Sequence, residues 1–95
     1  VDLVTDGERI VEVANGSPLM ARVTAVGCAL SGVAAAFSAL AADRFAATAA
    51  AVAIYGVAGD IAGEQARRPG SFRVAFLDAL DALDAPTLAR RMEIR

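Results

Sequence analysis

The chain has 95 residues, 57% hydrophobic and 21% charged, with a formal net charge of -2. Its nine basic residues are all arginines spread from Arg9 to Arg95, so no basic stripe offers a track for nucleic acid. With no histidine and a single cysteine, Cys–His and Ser–His catalytic pairs, histidine metal sites and an internal disulfide are excluded within this chain.

The length suits one small domain or a piece of a larger one. The chain opens without methionine on VDLV, which already reads as a strand, and this suggests a segment of something longer. Val1–Thr5 and Arg9–Ala14 are short and β-branched. Asp6-Gly7 between them is a hairpin signal, because a type I′ turn needs positive φ at both central residues. Asn15-Gly16-Ser17-Pro18 then breaks the strand and starts a loop. Val23 to Ala42 carries no charge, and Leu30, Val33, Phe37 and Leu40 recur at helical spacing. This predicts a helix starting near Gly27-Cys28 and stopping before Asp43. A second helix is predicted from about Phe45 to Ala66. It is apolar nearly all round until Asp60, so its first half should be buried on most sides. Gly56, Gly59 and Gly63 would let it press against a neighbour. Pro69-Gly70-Ser71-Phe72 closes that helix and opens a third, with Ser71 as candidate N-cap and Phe72, Phe76, Leu80 and Leu83 as its apolar stripe. Pro86 is expected to end it, and Thr87 to cap a last turn through Arg91. The tail MEIR has no strong preference.

The lone thiol sits where loop turns into helix. The first amide groups of a helix lack carbonyl partners and carry roughly half a positive charge, so an anion binds there readily. Small residues at Ala25 and Gly27 would let a ligand approach the backbone, and the same field would lower the pKa of Cys28. An anion cradle beside a tuned thiol suits phosphoryl transfer. Equally, free cysteine is often a small buried hydrophobe, and the turn alone does not decide between these readings.

The run VDLVTDGERIVEVANGSPLMARVTAVGCALSGVAAAF, followed by RRPGSF, resembles the C-terminal part of the hydroxyethylthiazole kinase family, whose members phosphorylate the hydroxyl of 4-methyl-5-(2-hydroxyethyl)thiazole with ATP in thiamine salvage. The order of motifs matches over essentially the whole chain. The resemblance implies an α/β fold, the C-terminal part of a ribokinase-like three-layer domain, here a β-hairpin followed by three to four helices. Residues 1–95 would then be a segment of a single kinase domain whose N-terminal part is absent. It further implies ATP and Mg2+ as cofactors, a cytoplasmic homotrimer with active sites between subunits, and the rest of the kinase chain as a partner. Carried over, Cys28 would be the catalytic base, Ala25 a substrate contact, and the backbone of Ala25, Val26, Gly27 and Cys28 the anion hole. The family's usual Gly-Thr-Gly-Cys is Ala25-Val26-Gly27-Cys28 here, which removes a threonine hydroxyl but keeps the backbone donors. Its His-Pro-Leu-Met is Ser17-Pro18-Leu19-Met20. Most substrate contacts would lie upstream, so the isolated chain is expected to be inactive. A ribokinase-like kinase for another small alcohol is the near alternative.

Composition alone supports a further alternative, a helical packing or membrane module, because Val23–Ala42 and Phe45–Gly59 meet the length rule for spanning a bilayer. Their small and polar residues, and the lack of an aromatic belt or flanking positive cluster, count against it. Asp60 and Glu64 could form a metal pair, but beside Arg67 and Arg68 they read as a solvated ion-pair face, with Glu64 and Arg68 spaced for a pair. Asp78, Asp81 and Asp84 read as exposed helix face. Tyr55, in the buried second helix, could reach a subunit or pocket boundary.

Overall fold

The computed structural model describes residues 2–23, 26–40 and 42–94, without the side chains of Val26, Gly27 and Cys28. Strands β1 (Asp2–Thr5) and β2 (Ile10–Val13) pair antiparallel, with Val4 opposite Val11 and Thr5 opposite Ile10. The period of two puts Val4 and Val13 in the core and leaves Leu3 and Ile10 exposed. The connection is four residues, not the two-residue turn expected from Asp6-Gly7. Asp6 wins because its carboxylate accepts from the backbone N–H of Glu8 (3.0 Å) and Arg9 (2.7 Å), while Gly7 takes φ +97°.

Four helices follow: α1 (Val26–Leu40), α2 (Arg44–Gln65), α3 (Pro69–Ala82) and α4 (Ala85–Arg91), with a short 3-10 turn over Pro18–Arg22 before the first. The long helix α2 starts at Asp43, whose side chain accepts from the N–H of Phe45 and Ala46, satisfying donors that a helix start leaves open. Arg9 reaches over from the hairpin loop, bonding both Asp43 carboxylate oxygens at 3.0 and 3.2 Å and lying 4.4 Å above the Phe45 ring.

The all-round apolar character of α2 has a geometric reason: it serves several neighbours at once. Ala49, Val52 and Ala53 pack with Val4 and Val13 of the hairpin. Tyr55, Ala58, Ala62 and Ala66 pack with Phe72, Phe76 and Ala79 of α3. A third row, Gly56, Gly59 and Gly63, faces the Asn15–Met20 loop. The spacings of three, four and seven within each row are those of a helix face. Alanine on these faces lets backbones approach closely, and the aromatic residues fill what remains. Tyr55 and Phe76 meet edge-on at 5.3 Å, and Phe76 stacks on Phe72 at 5.8 Å. The 22-residue α2 is long and apolar enough to cross a membrane, yet most of that stretch is buried inside this fold.

Helix boundaries depart from expectation at two prolines. Ser71 is not the N-cap of α3; the helix begins at Pro69, behind Arg68 in extended backbone. Proline is favoured at the first helical position because its fixed φ suits the helix and its missing N–H would go unbonded there. Nor does Pro86 terminate α3. Asp84 caps α4 by accepting from Thr87 N–H at 2.9 Å, and Pro86 lies in that first turn, so Thr87 is capped rather than capping. The tail is also ordered: Ile94 bridges Val13, and the Glu93 carbonyl accepts from Ala14 N–H at 2.9 Å. Glu64 pairs with Arg91 of α4 through two bonds of 2.9 and 3.0 Å rather than with Arg68.

These surface carboxylates predict the acid limb of stability. The amides of Arg9 and Glu8 hold the Asp6 carboxyl down to about 2; Arg9 lowers Asp43, Arg91 lowers Glu64, and the Thr87 side chain lowers Asp84. A carboxyl whose folded pKa lies below its unfolded value contributes stability above the latter and loses it as pH falls through the former. Helical circular dichroism in mid-range urea should therefore hold steady down to about pH 5 and fall between about pH 4 and 2. A profile flat to the acid end would mean these contacts do not discriminate folded from unfolded chain.

Candidate functional site

The loop that leaves β2 is laid along the glycine row of α2. A Cβ at Gly56 would stand 2.7 Å from Asn15 Cβ and 2.8 Å from the Asn15 carbonyl oxygen, and one at Gly63 would stand 3.1 Å from Ser17 Oγ. At Gly59 it would collide with the sulfur of Met20. At Gly56, where the obstacle includes backbone, only hydrogen lets the loop lie so close. Gly16, with φ +138°, lets the chain turn down onto the helix.

Asn15 is the hub of this contact. It is 4% exposed, and its amide is engaged on both sides, as a buried polar group must be. Its Nδ2 donates to Asp60 Oδ2 and to the Arg91 carbonyl, each at 2.8 Å, and its Oδ1 accepts from Glu93 N–H at 2.6 Å. Asp60 Oδ1 also accepts from Gly16 N–H at 2.9 Å. Asp60 and Glu64 thus turn to partners other than Arg67 and Arg68: the first holds the loop and the second holds α4. Sequence reasoning read Asn15 only as a strand breaker. The available signal was the lone Asp60 between Gly59 and Gly63 in an otherwise apolar helix.

A cavity of about 580 Å³ opens between this loop, the end of the hairpin, α1 and α2. Its wall includes Asn15, Ser17, Pro18, Met20, Leu30 and Tyr55. Tyr55, which the sequence left able to reach a subunit or a pocket boundary, lines this cavity and is 4% exposed. Leu30 is four residues into α1, so the cavity lies beside the first turns of that helix. Burial raises the Tyr55 pKa above its ordinary 10.0. A raised folded pKa contributes stability below the unfolded value and loses it as pH climbs through the folded one. Tyr55 is the single tyrosine and there is no tryptophan, so tyrosinate absorbance reports this residue alone. Its ionisation should be displaced to higher pH than that of a free tyrosine and coincide with unfolding. A free titration centred at pH 10 would place the phenol in solvent.

The expected glycine–cysteine turn falls at the helix start. The backbone of Val26, Gly27 and Cys28 forms the first turn of α1, where amide groups have no intrahelical acceptor. Ala25 lies outside the described residues, as do the side chains of Val26, Gly27 and Cys28. Among the described residues the cavity meets α1 at Leu30, one turn beyond that helix start.

Comparison with known proteins puts this hairpin-and-helices fold among proteins named as small-molecule kinases. The model of the hydroxyethylthiazole kinase family matches residues 1–86, and the chain belongs to that family. It is 57% identical over 90 residues to the hydroxyethylthiazole kinase of Cereibacter sphaeroides, a match covering 95% of this chain and 34% of that protein. The maize protein of the same name is 43% identical over 95 residues, covering 99% of this chain and 34% of its own length. A solved structure of the Pyrococcus horikoshii hydroxyethylthiazole kinase superposes on the whole chain with a TM-score of 0.91 and 36% identity, over 37% of its own length. The chain therefore spans about a third of the length of the relatives it matches.

Proposed function

We propose that residues 1–95 are the C-terminal segment of one ribokinase-like kinase domain that transfers the γ-phosphoryl of ATP to the hydroxyl of 4-methyl-5-(2-hydroxyethyl)thiazole. The family match over residues 1–86 carries this reading. The start of α1 at Val26 supports it further, since it sets the amides of Val26, Gly27 and Cys28 at a helix end. The backbone from Ala25 to Cys28 cradles the transferred phosphoryl, Ala25 borders the substrate, and the Cys28 thiolate accepts the alcohol proton as its oxygen attacks phosphorus and ADP departs. Among the described residues no three acidic or thiol side chains come together. A magnesium ion would be held chiefly by the nucleotide phosphates, whose charge it would offset. The enzyme works as a cytoplasmic homotrimer, and this segment alone is inactive.

The test is ADP release by the full reading frame with and without hydroxyethylthiazole, beside the isolated 95 residues. Release that depends on the thiazole alcohol and needs the full frame supports the assignment. Thiazole-independent release would shift it to another small alcohol, and turnover by the isolated chain would refute the division of labour. For the second of its two apolar runs the membrane alternative loses its footing, because the apolar faces of α2 are occupied by the hairpin, the loop and α3.

A further inference from the structure

The geometry points to Asp60 as a positioning residue for ligand binding in the cavity, acting through Asn15 and Gly16; this inference rests on the kinase reading above. Asp60 lines no part of that cavity. Yet the loop running from Asn15 to Arg22 supplies most of its wall, and the head of that loop is tied to α2 by the Asp60 carboxylate. One oxygen takes the Asn15 side-chain amide at 2.8 Å and the other takes the Gly16 backbone amide at 2.9 Å. Two donors converge on a bidentate acceptor, and bonds to a charged acceptor are the stronger kind.

The far end of the loop is held by apolar packing, with Leu19 and Met20 against the cluster of Tyr55, Phe72 and Phe76, but its head has few other directional contacts to α2. Its own bonds are a 3-10 contact, Met20 N–H to the Ser17 carbonyl at 3.0 Å, and a long one from Leu19 N–H to Ser17 Oγ at 3.3 Å. The remaining side-chain bonds of Asn15 go to Arg91 and Glu93, which tie the loop to the tail and not to α2. The glycine row beneath the loop permits close approach but is not directional: van der Waals contact sets height, whereas the two hydrogen bonds set register along the helix. Without Asp60 the head of the loop at Asn15 and Gly16 loses its register on α2, and the cavity wall there shifts, while Leu19 and Met20 stay packed on the core of α2 and α3.

The experiment compares the full reading frame with its Asp60→Asn and Asp60→Ala variants. Steady-state KM is measured for ATP and for hydroxyethylthiazole, with kcat expressed per folded molecule and hydrogen exchange followed at the Gly16 amide. Asp60→Ala removes both acceptors and should raise the KM of at least one substrate about tenfold, with kcat changed by less than about twofold. Asp60→Asn keeps one acceptor oxygen and should fall between. Gly16 exchange should accelerate in the same order, with the amides of α3 unaffected. A merely structural role lowers the folded fraction and leaves both KM values alone; that result, or unchanged Gly16 exchange, overturns the inference. Absence of thiazole turnover in the unsubstituted full frame sinks the kinase reading and this inference with it. Normal turnover with unmoved KM values sinks the positioning role alone.

Discussion

Replacing Cys28 by alanine in the full reading frame is expected to slow thiazole phosphorylation by about 10²–10⁴-fold, the usual worth of a positioned general base. The loss falls in kcat, because the proton moves only as the alcohol attacks, so interactions in the ground state are spared. Cys28→Asp is expected to retain activity, since a carboxylate can also take the proton, and it occupies the same place in the first turn of α1. Rate constants for the three forms, measured at saturating substrates, decide the matter. Full activity in Cys28→Ala would make the thiol a small core hydrophobe and leave catalysis to the backbone amides, which mutagenesis of side chains does not remove.

The second large effect is on stability, and it separates two glycines of the same helix. Alanine in place of glycine inside a helix gains about 1 kcal/mol from propensity. At Gly56 the new methyl would stand 2.7–2.9 Å from the Cβ, carbonyl carbon and oxygen of Asn15, atoms fixed by the backbone and by bonds to Asp60, Arg91 and Glu93. Overpacking of this kind costs about 1–3 kcal/mol, and moving Asn15 strains a buried polar hub as well, so Gly56→Ala should be clearly destabilising. At Gly59 the obstacle is the end of the Met20 side chain, which is unbranched and can rotate away. Gly59→Ala should therefore be near neutral in urea midpoint while pushing Met20 toward the cavity. Urea unfolding of both variants tests the contrast; equal midpoints would show that the loop gives way as a whole.

The sequence was most legible where one signal acted alone. Hydrophobic spacing located α1, α2 and α3, and the glycine row of α2 was recognised as a contact surface. Its partner was not recognisable, because a glycine shows that something comes close and not what does. The hairpin was legible but its loop was not: the Asp6 side chain supplies a local turn that competes with the dipeptide's own preference. The boundaries of α3 and α4 were misjudged for a related reason. Proline can stop one helix or begin the next, and Pro69 and Pro86 both begin one. Long-range polar partners were illegible in principle. Nothing near Asn15 in sequence announces Asp60, Arg91 or Glu93, and Glu64 has a nearer arginine at helical spacing than the one it chooses. The family resemblance covered what spacing could not, and the family match over residues 1–86 bears it out at the level of the family.

The bonds of Asn15 have a consequence for the order in which the protein is made. Its partner on α2 is 45 residues further along the chain, and those beyond α3 are 76 and 78 residues further. At a synthesis rate of about 5–20 residues per second, roughly 4–15 s separate the emergence of Asn15 from that of Glu93. Contacts of such separation close late. During that interval α1, α2 and α3 are added in turn while the loop at Asn15 has only part of its anchorage. The complete set of Asn15 bonds is thus among the last features the nascent protein acquires, since it closes only when residues 91 and 93 are available.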